Sequence, residues 1–215
     1  MCGRFTRAMS WRQLHHLSGL IGSPSPTSNL QPHMDIRPTD PILIVRDRRG
    51  TREIADVRWG LVPPSFDDAM KKKFLNHNAR SDKIGVTNWW TKPFNEGRRC
   101  LIPASGFYEW RDEGKGKKKT RFYITSKSGE PLTFAGLWEW NEKLKIDSAT
   151  MICTDPNELM VPIHDRMPVI LAESDREAWL AEPRADLLRP APVDDLIAYP
   201  VRSDIKDDDP ITLLI

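Results

Sequence analysis

The chain opens Met1-Cys2-Gly3-Arg4. A cysteine side chain is small enough for methionine aminopeptidase to remove Met1, and Cys2 would then carry a free α-amine beside its thiol. An α-amine titrates at roughly 7.7 to 8.0, well below a lysine, so part of it is an unprotonated nucleophile at neutral pH. Such a 1,2-aminothiol can attack an aldehyde to give a Schiff base. The tethered thiol can then close a five-membered thiazolidine ring on the same carbon. With Met1 retained, the amine is an amide and that route is closed. A residue at position 2 can equally be the start of a loose terminus, so other segments have to decide.

Three internal segments hold further groups of this kind. In Leu101-Ile102-Pro103-Ala104-Ser105-Gly106-Phe107-Tyr108-Glu109-Trp110 a single carboxylate stands among aromatic and apolar residues. Partial burial would raise the pKa of Glu109 and let it give as well as take a proton; the other reading is a structural ion pair. Ile163-His164-Asp165-Arg166-Met167-Pro168 sets an imidazole and a guanidinium at the end of an apolar run, where loops present functional groups, although a lone histidine is more often structural. Asn78-Ala79-Arg80-Ser81-Asp82 follows the basic run Lys71-Lys72-Lys73. By itself it is a polar turn or a capping segment.

The elements that must position these groups are mostly strands. Residues 41–47 and 51–62 read as a hairpin around Arg48-Arg49-Gly50, and residues 100–111, 121–126, 132–140 and 149–154 as further strands. A helix is expected over residues 11–21, capped by Ser10 and closed by Gly22, followed by a Ser/Pro-rich connector. Ser174-Asp175-Arg176-Glu177 reads as a capping box starting a helix to residue 181, with another short helix at 185–188. The glycine-punctuated run Gly114-Lys115-Gly116-Lys117-Lys118-Lys119 is a solvated hairpin tip.

A chain of 215 residues with 39% hydrophobic content can bury a sizeable core, and one domain over residues 1–215 is expected. There is no membrane-length apolar run and no signal-peptide order, so a cytoplasmic protein is expected. Cys2, Cys100 and Cys153 are an odd set without CxxC spacing, which argues against a disulfide framework and a cysteine zinc site. Cys100 and Cys153 are expected to be core thiols, and no metal or cofactor is anticipated. The net charge of +2 conceals a division: residues 1–125 hold 23 Lys and Arg against 12 Asp and Glu, and residues 126–215 hold 9 against 18. A basic half of this kind suits a phosphate-bearing partner.

Five segments taken together resemble one family. Met1-Cys2-Gly3-Arg4-Phe5, Arg58-Trp59-Gly60-Leu61-Val62-Pro63, Asn78-Ala79-Arg80-Ser81-Asp82, Gly106-Phe107-Tyr108-Glu109-Trp110 and Ile163-His164-Asp165-Arg166-Met167-Pro168 are similar, in order and spacing, to the signature blocks of the SRAP family, the SOS-response-associated, abasic-site-processing proteins of YedK type. The resemblance implies an α+β fold with a curved, partly barrel-like antiparallel β core, short flanking helices and a positively charged groove for single-stranded DNA. It implies that the aldehyde is the ring-opened sugar of an abasic site, captured by Cys2 as a thiazolidine crosslink, with lyase-type and autopeptidase activities as further family properties. By the same resemblance Asn78 holds the Cys2 terminus, Glu109 moves protons in Schiff-base formation, and His164 assists ring opening and reversal. Arg4, Arg80 and Arg166 would contact phosphates and Thr154 the DNA strand; Pro38 and Phe66 are candidates for a wedge at a junction with duplex DNA. The implied partner is single-stranded DNA containing abasic sites, bound by a monomer.

The chain departs from the family pattern in two places. Asp35 stands where the family carries an asparagine, and an acid there repels phosphate unless it is paired, for example by Arg37. The segment from Val201 to Pro210 carries aspartates where relatives carry asparagines, and no site is assigned there. Two other functions account for part of the pattern. Class II glutamine amidotransferases also begin Met-Cys-Gly and use an N-terminal cysteine, but their glutamine-site blocks are missing here. A noncatalytic single-strand-binding module would explain the basic half and the eight tryptophans, but not Cys2, Glu109 and His164.

Overall fold

A computed structural model describes residues 2–20, 30–67 and 76–201. Along the chain run β1 (Arg4–Arg7), α1 (Trp11–Ser18), β2 (His33–Ile36), β3 (Pro41–Arg48), β4 (Thr51–Trp59), β5 (Asn78–Arg80), α2 (Asn88–Asn95), β6 (Arg99–Ala104), β7 (Gly106–Arg111), β8 (Thr120–Ser126), β9 (Leu132–Asn141), β10 (Ile146–Thr154), β11 (Met167–Pro168), α3 (Arg176–Ala181) and β12 (Leu196–Pro200). The β3–β4 hairpin forms as its sequence predicts, with Arg48 opposite Thr51.

Strands β4, β3, β6 and β9 pair in that order, and β10 pairs with both β9 and β4, so five strands close into a barrel. The seam between β4 and β10 is parallel, as is the short pairing of β5 with β10, while the other ladders of the barrel are antiparallel. A second sheet has the order β12-β8-β7-β1-β2. The fold is therefore α+β with a barrel, as the resemblance implies, but with parallel pairings in its wall. The basic and acidic halves of the sequence do not separate in space, because β9 and β10 from the acidic half complete a barrel begun by β3, β4 and β6.

Successive residues of the barrel strands pack into different clusters, the period-two consequence of a pleated strand. Ile44, Ile102 and Met151 join Cys2, Phe5, Trp59, Phe107 and Phe134 in one cluster. Their neighbours Val45, Leu101 and Ile152 join Leu17, Phe94, Trp179 and Leu180, which bring the three helices against the other face. In the first cluster Phe5 meets Trp59 and Phe134 edge-on, with centroids 5.0 and 6.0 Å apart.

Four local expectations are corrected. Residues 100–111 are two strands: β6 ends at Ala104, and β7 starts at Gly106 in the other sheet. The corner is held by Ser105, whose amide donates to the Thr6 carbonyl (2.8 Å) and whose hydroxyl accepts from the Ala8 amide (2.7 Å). Gly106 is required there by close approach, since a Cβ would lie 2.4 Å from the Tyr123 ring. Helix α1 begins at the Ser10 cap, with Gln13 completing a capping box, but it ends at Ser18 because Gly19 takes the left-handed conformation (φ 65°) and closes it. Gly22 and the connector lie outside the described residues. No capping box opens α3: Asp175, at its N-cap, makes no side-chain bond to the helix, and residues 173–175 form a 3₁₀ turn instead. The segment at 185–187 is likewise a 3₁₀ turn. Helix α2 was not legible in the sequence, since Pro93 lies inside it and no side chain caps it. The Gly114–Lys119 run is the exposed connection from β7 to β8, as expected.

Candidate active site

Cys2 is fully buried ahead of β1. Its carbonyl accepts a 2.7 Å hydrogen bond from Asn78 Nδ2, across 76 residues of sequence. Asn78 is placed by β5, which lies parallel to β10 with Asn78 opposite Met151. The chain is steered into β5 by Trp59, whose indole N–H donates to the His77 carbonyl (2.8 Å). Glu109 arrives on β7, next to β1, where Arg4 is opposite Tyr108. Its residue exposure is only 2%, and its carboxyl shares a hydrogen bond with the Cys2 thiol. His164, on the loop after β10, puts Nε2 3.7 Å from Glu109 Oε2. Sequence-distant elements thus bring Cys2, Asn78, Glu109 and His164 to one point.

Burial sets the protonation of this group. Burial, followed by a hydrogen bond with Cys153 and the charge of Glu109, holds the Cys2 thiol well above the ordinary cysteine range, so it is a thiol and not a thiolate at neutral pH. Burial also raises Glu109, against the opposing effects of its Cys2 hydrogen bond and His164. Among the described residues, Glu109 Oε1 and Asn78 Oδ1 are buried without a hydrogen-bond partner. Two acceptors of that kind are expensive unless a reacting group supplies the missing donors. At His164, Nδ1 accepts from the Arg166 amide (3.1 Å) and lies 3.0 Å from Asp165 Oδ1. The amide suits an unprotonated Nδ1 and the carboxylate a protonated one, so both tautomers find a partner.

The expected phosphate contacts fall into two places. Arg80 at the end of β5, buried Thr154 at the end of β10 and Arg166 beside β11 are neighbours through the pairings Cys153–Arg80 and Thr154–Met167. Arg4 sits on β1 with its guanidinium 5.4 Å from the centre of the Trp110 ring. Pro38, in the turn between β2 and β3, and Phe66, in the loop after β4, are carried by loops instead of the strands that hold the cluster. The Lys71–Lys73 run and the segment from Arg202 to Pro210 lie outside the described residues. Asp35 is paired: Oδ2 accepts from Arg37 Nε (2.6 Å) and Oδ1 lies 3.5 Å from Arg4 Nε. Among the described residues no group of three His, Cys, Asp or Glu side chains could hold a metal ion.

The pattern of the family described as SOS response associated peptidase (SRAP) matches residues 1–208. The chain belongs to the SRAP family. It is 36% identical over 213 residues to the abasic site processing protein YoqW of Bacillus subtilis, covering 94% of this chain and 93% of that one. It is 31% identical over 195 residues to the abasic site processing protein HMCES of Gallus gallus, covering 76% of this chain and 57% of the relative. Among solved structures, a Bacteroides thetaiotaomicron protein superposes with a TM-score of 0.79 at 24% identity, covering 97% of both chains, and shares the fold. A Bordetella bronchiseptica protein superposes with a TM-score of 0.75 at 26% identity, covering 94% of this chain and 100% of the other. Within this SRAP chain, sequence reasoning missed three residues beside the cluster. Cys153 was read as a core thiol and is one, yet its sulfur meets that of Cys2. Asp82 and Asp155 bind Arg80 and Arg166. The Arg-x-Asp spacing at a strand end was the one local sign of the first pair.

Proposed function

We propose that this protein processes abasic sites in single-stranded DNA by capturing the open sugar aldehyde on Cys2 as a thiazolidine, once Met1 has been removed. The observation that carries this reading is the convergence on Cys2 of a fixed backbone carbonyl, a buried carboxyl at the thiol and an imidazole beside that carboxyl. The relatives named as abasic site processing proteins support it.

The α-amine adds to the aldehyde carbon, and loss of one water gives the Schiff base. The Cys2 sulfur then adds to the imine carbon while the thiol proton passes to the nitrogen, closing the ring. A protonated Glu109 can donate to the departing hydroxyl and recover a proton from the nitrogen as the imine forms; at ring closure it gives that proton back to the nitrogen and takes the thiol proton, ending protonated as it began. The raised thiol suits this order, because an uncharged thiol leaves the first attack to the amine. Asn78 fixes the backbone so that amine and thiol address the same carbon. His164 shuttles a proton during ring opening and reversal. Arg4, Arg80, Thr154 and Arg166 hold the flanking strand, and Pro38 and Phe66 bound it at a junction. An amidotransferase-like hydrolase is left without support by family membership over residues 1–208.

The test is intact-protein mass spectrometry after incubation with a single-stranded oligonucleotide containing one abasic site. One heat-stable adduct, at the summed masses less one water, is expected. Absence of any adduct from protein with Cys2 as its first residue would overturn the reading.

A further inference from the structure

The arginines around Cys2 are already occupied. Arg80 donates from Nε and Nη2 to the two oxygens of Asp82, at 2.9 and 2.8 Å. That is the bidentate edge a guanidinium offers to a phosphate. Arg166 is bonded through Nη1 to Asp155. Arg4 faces Asp35, a carboxylate held in place by Arg37 and only 11% exposed. Arg4, Arg37, Arg80 and Arg166 thus meet three aspartates, and with Asp165 at His164 the four cations and four carboxylates cancel in formal charge. Among these described residues the positive excess of the N-terminal half of the sequence is therefore balanced by carboxylates.

We propose that Asp35, Asp82 and Asp155 are specificity-determining residues that hold the arginines against intact single strands, so that a strand is retained only when it can react at Cys2. This rests on the function proposed above. A phosphate must displace or share each guanidinium with a carboxylate already bonded to it, and a neutral pair neutralises no phosphate and releases few counterions. Noncovalent affinity for undamaged DNA is then low and weakly salt-dependent. A covalent step needs no tight ground state: the aldehyde converts a short encounter into a lasting one, and strands without it dissociate.

The experiment measures the affinity of the full chain for an undamaged single-stranded oligonucleotide across salt, for wild type, Asp82→Asn, Asp155→Asn and Asp35→Asn. Asp186→Asn is the control, because it breaks the same bidentate pair at Arg184 and changes net charge equally, away from Cys2. Each of the three substitutions is expected to tighten binding by about twofold to fivefold. Each should also steepen the log–log salt dependence by about 0.7 unit, the value for one single-strand phosphate contact; the control should do neither. Asp82 and Asp155 side chains are 48% and 78% exposed, so these variants test the idea even if Asp35→Asn fails to fold. Unchanged or weakened binding in both would overturn it and make the aspartates supports that position the arginines. Crosslinking of the abasic oligonucleotide is followed in parallel. Its absence in wild type refutes the proposed chemistry, while the affinity series still decides the role of the aspartates.

Discussion

Glu109 shows how one residue can serve chemistry at the expense of stability. Burial raises its pKa above the ordinary 4.5. Below that pH both folded and unfolded chains are protonated and there is no penalty. As pH rises through the interval, the unfolded chain ionises first, so Glu109 lowers stability until its folded pKa is passed. Glu109→Gln is therefore expected to melt higher than wild type at neutral pH and alongside it near pH 4, as read by thermal denaturation across pH. The same substitution should slow single-turnover crosslinking by about 100-fold to 10,000-fold while affinity for intact DNA survives. Cys2→Ala should lose the heat-stable adduct and retain at most a labile Schiff base trappable by borohydride; a heat-stable adduct in this variant would exclude ring closure by the thiol. Cys153→Ser keeps the shape beside Cys2 and should still crosslink, which gel analysis of heated samples will read.

At the scale of elements, the loop after β4 is held from the end of β9. Asn141 is fully buried and donates from Nδ2 to the carbonyls of Pro63 (2.7 Å) and Phe66 (2.8 Å), while its Oδ1 accepts from the Leu144 amide (2.9 Å). One side chain thus fastens the loop that carries the candidate wedge to the β9–β10 turn. Asn141→Ala removes one donor each from the buried Pro63 carbonyl and the half-buried Phe66 carbonyl and should lower stability by about 1 to 3 kcal/mol. If Phe66 serves as the wedge, the variant should also lose preference for a single-strand/duplex junction over a plain single strand. Competition binding with both DNAs checks this, and an unaltered preference would remove Phe66 from that role.

Over the whole molecule, helices α2 and α3 are tied to the barrel through a buried arginine that donates to backbone carbonyls. Arg99, at the start of β6, donates Nε to the Trp179 carbonyl (2.7 Å), Nη2 to that of Leu180 (3.0 Å) and Nη1 to that of Phe94. Trp179 returns its indole N–H to the Cys100 carbonyl (3.0 Å). Helix C-terminal carbonyls carry partial negative charge, so they can stand in for a carboxylate here. Arg99→Met should destabilise the protein by at least about 2 kcal/mol, since the carbonyls lose their donor inside the fold. Urea denaturation will measure it. The Cys2 cluster draws on β1, β5 and β7, so crosslinking by the remaining folded fraction should be nearly unchanged.

By itself the sequence determined what depends on neighbours in the chain. The Met1-Cys2 start, the five blocks that mark the family, the Arg49-Gly50 hairpin, the Ser10 cap and the burial of Cys100 and Cys153 are short-range signals, set by side-chain type and period. Tertiary structure decided the rest. That residues 100–111 break at Ser105 into two sheets follows from what each half pairs with, and both halves have the same strand-forming composition. The meeting of Asn78 with Cys2 depends on β5 lying along β10, and that of Glu109 with His164 on β7 leaving the barrel for the second sheet. The pairing of Arg166 with Asp155 and of Arg4 with Asp35 was illegible for the same reason. A charge count gives the sign of a segment, whereas the field at a site depends on which carboxylate the fold sets within a few ångströms of which guanidinium.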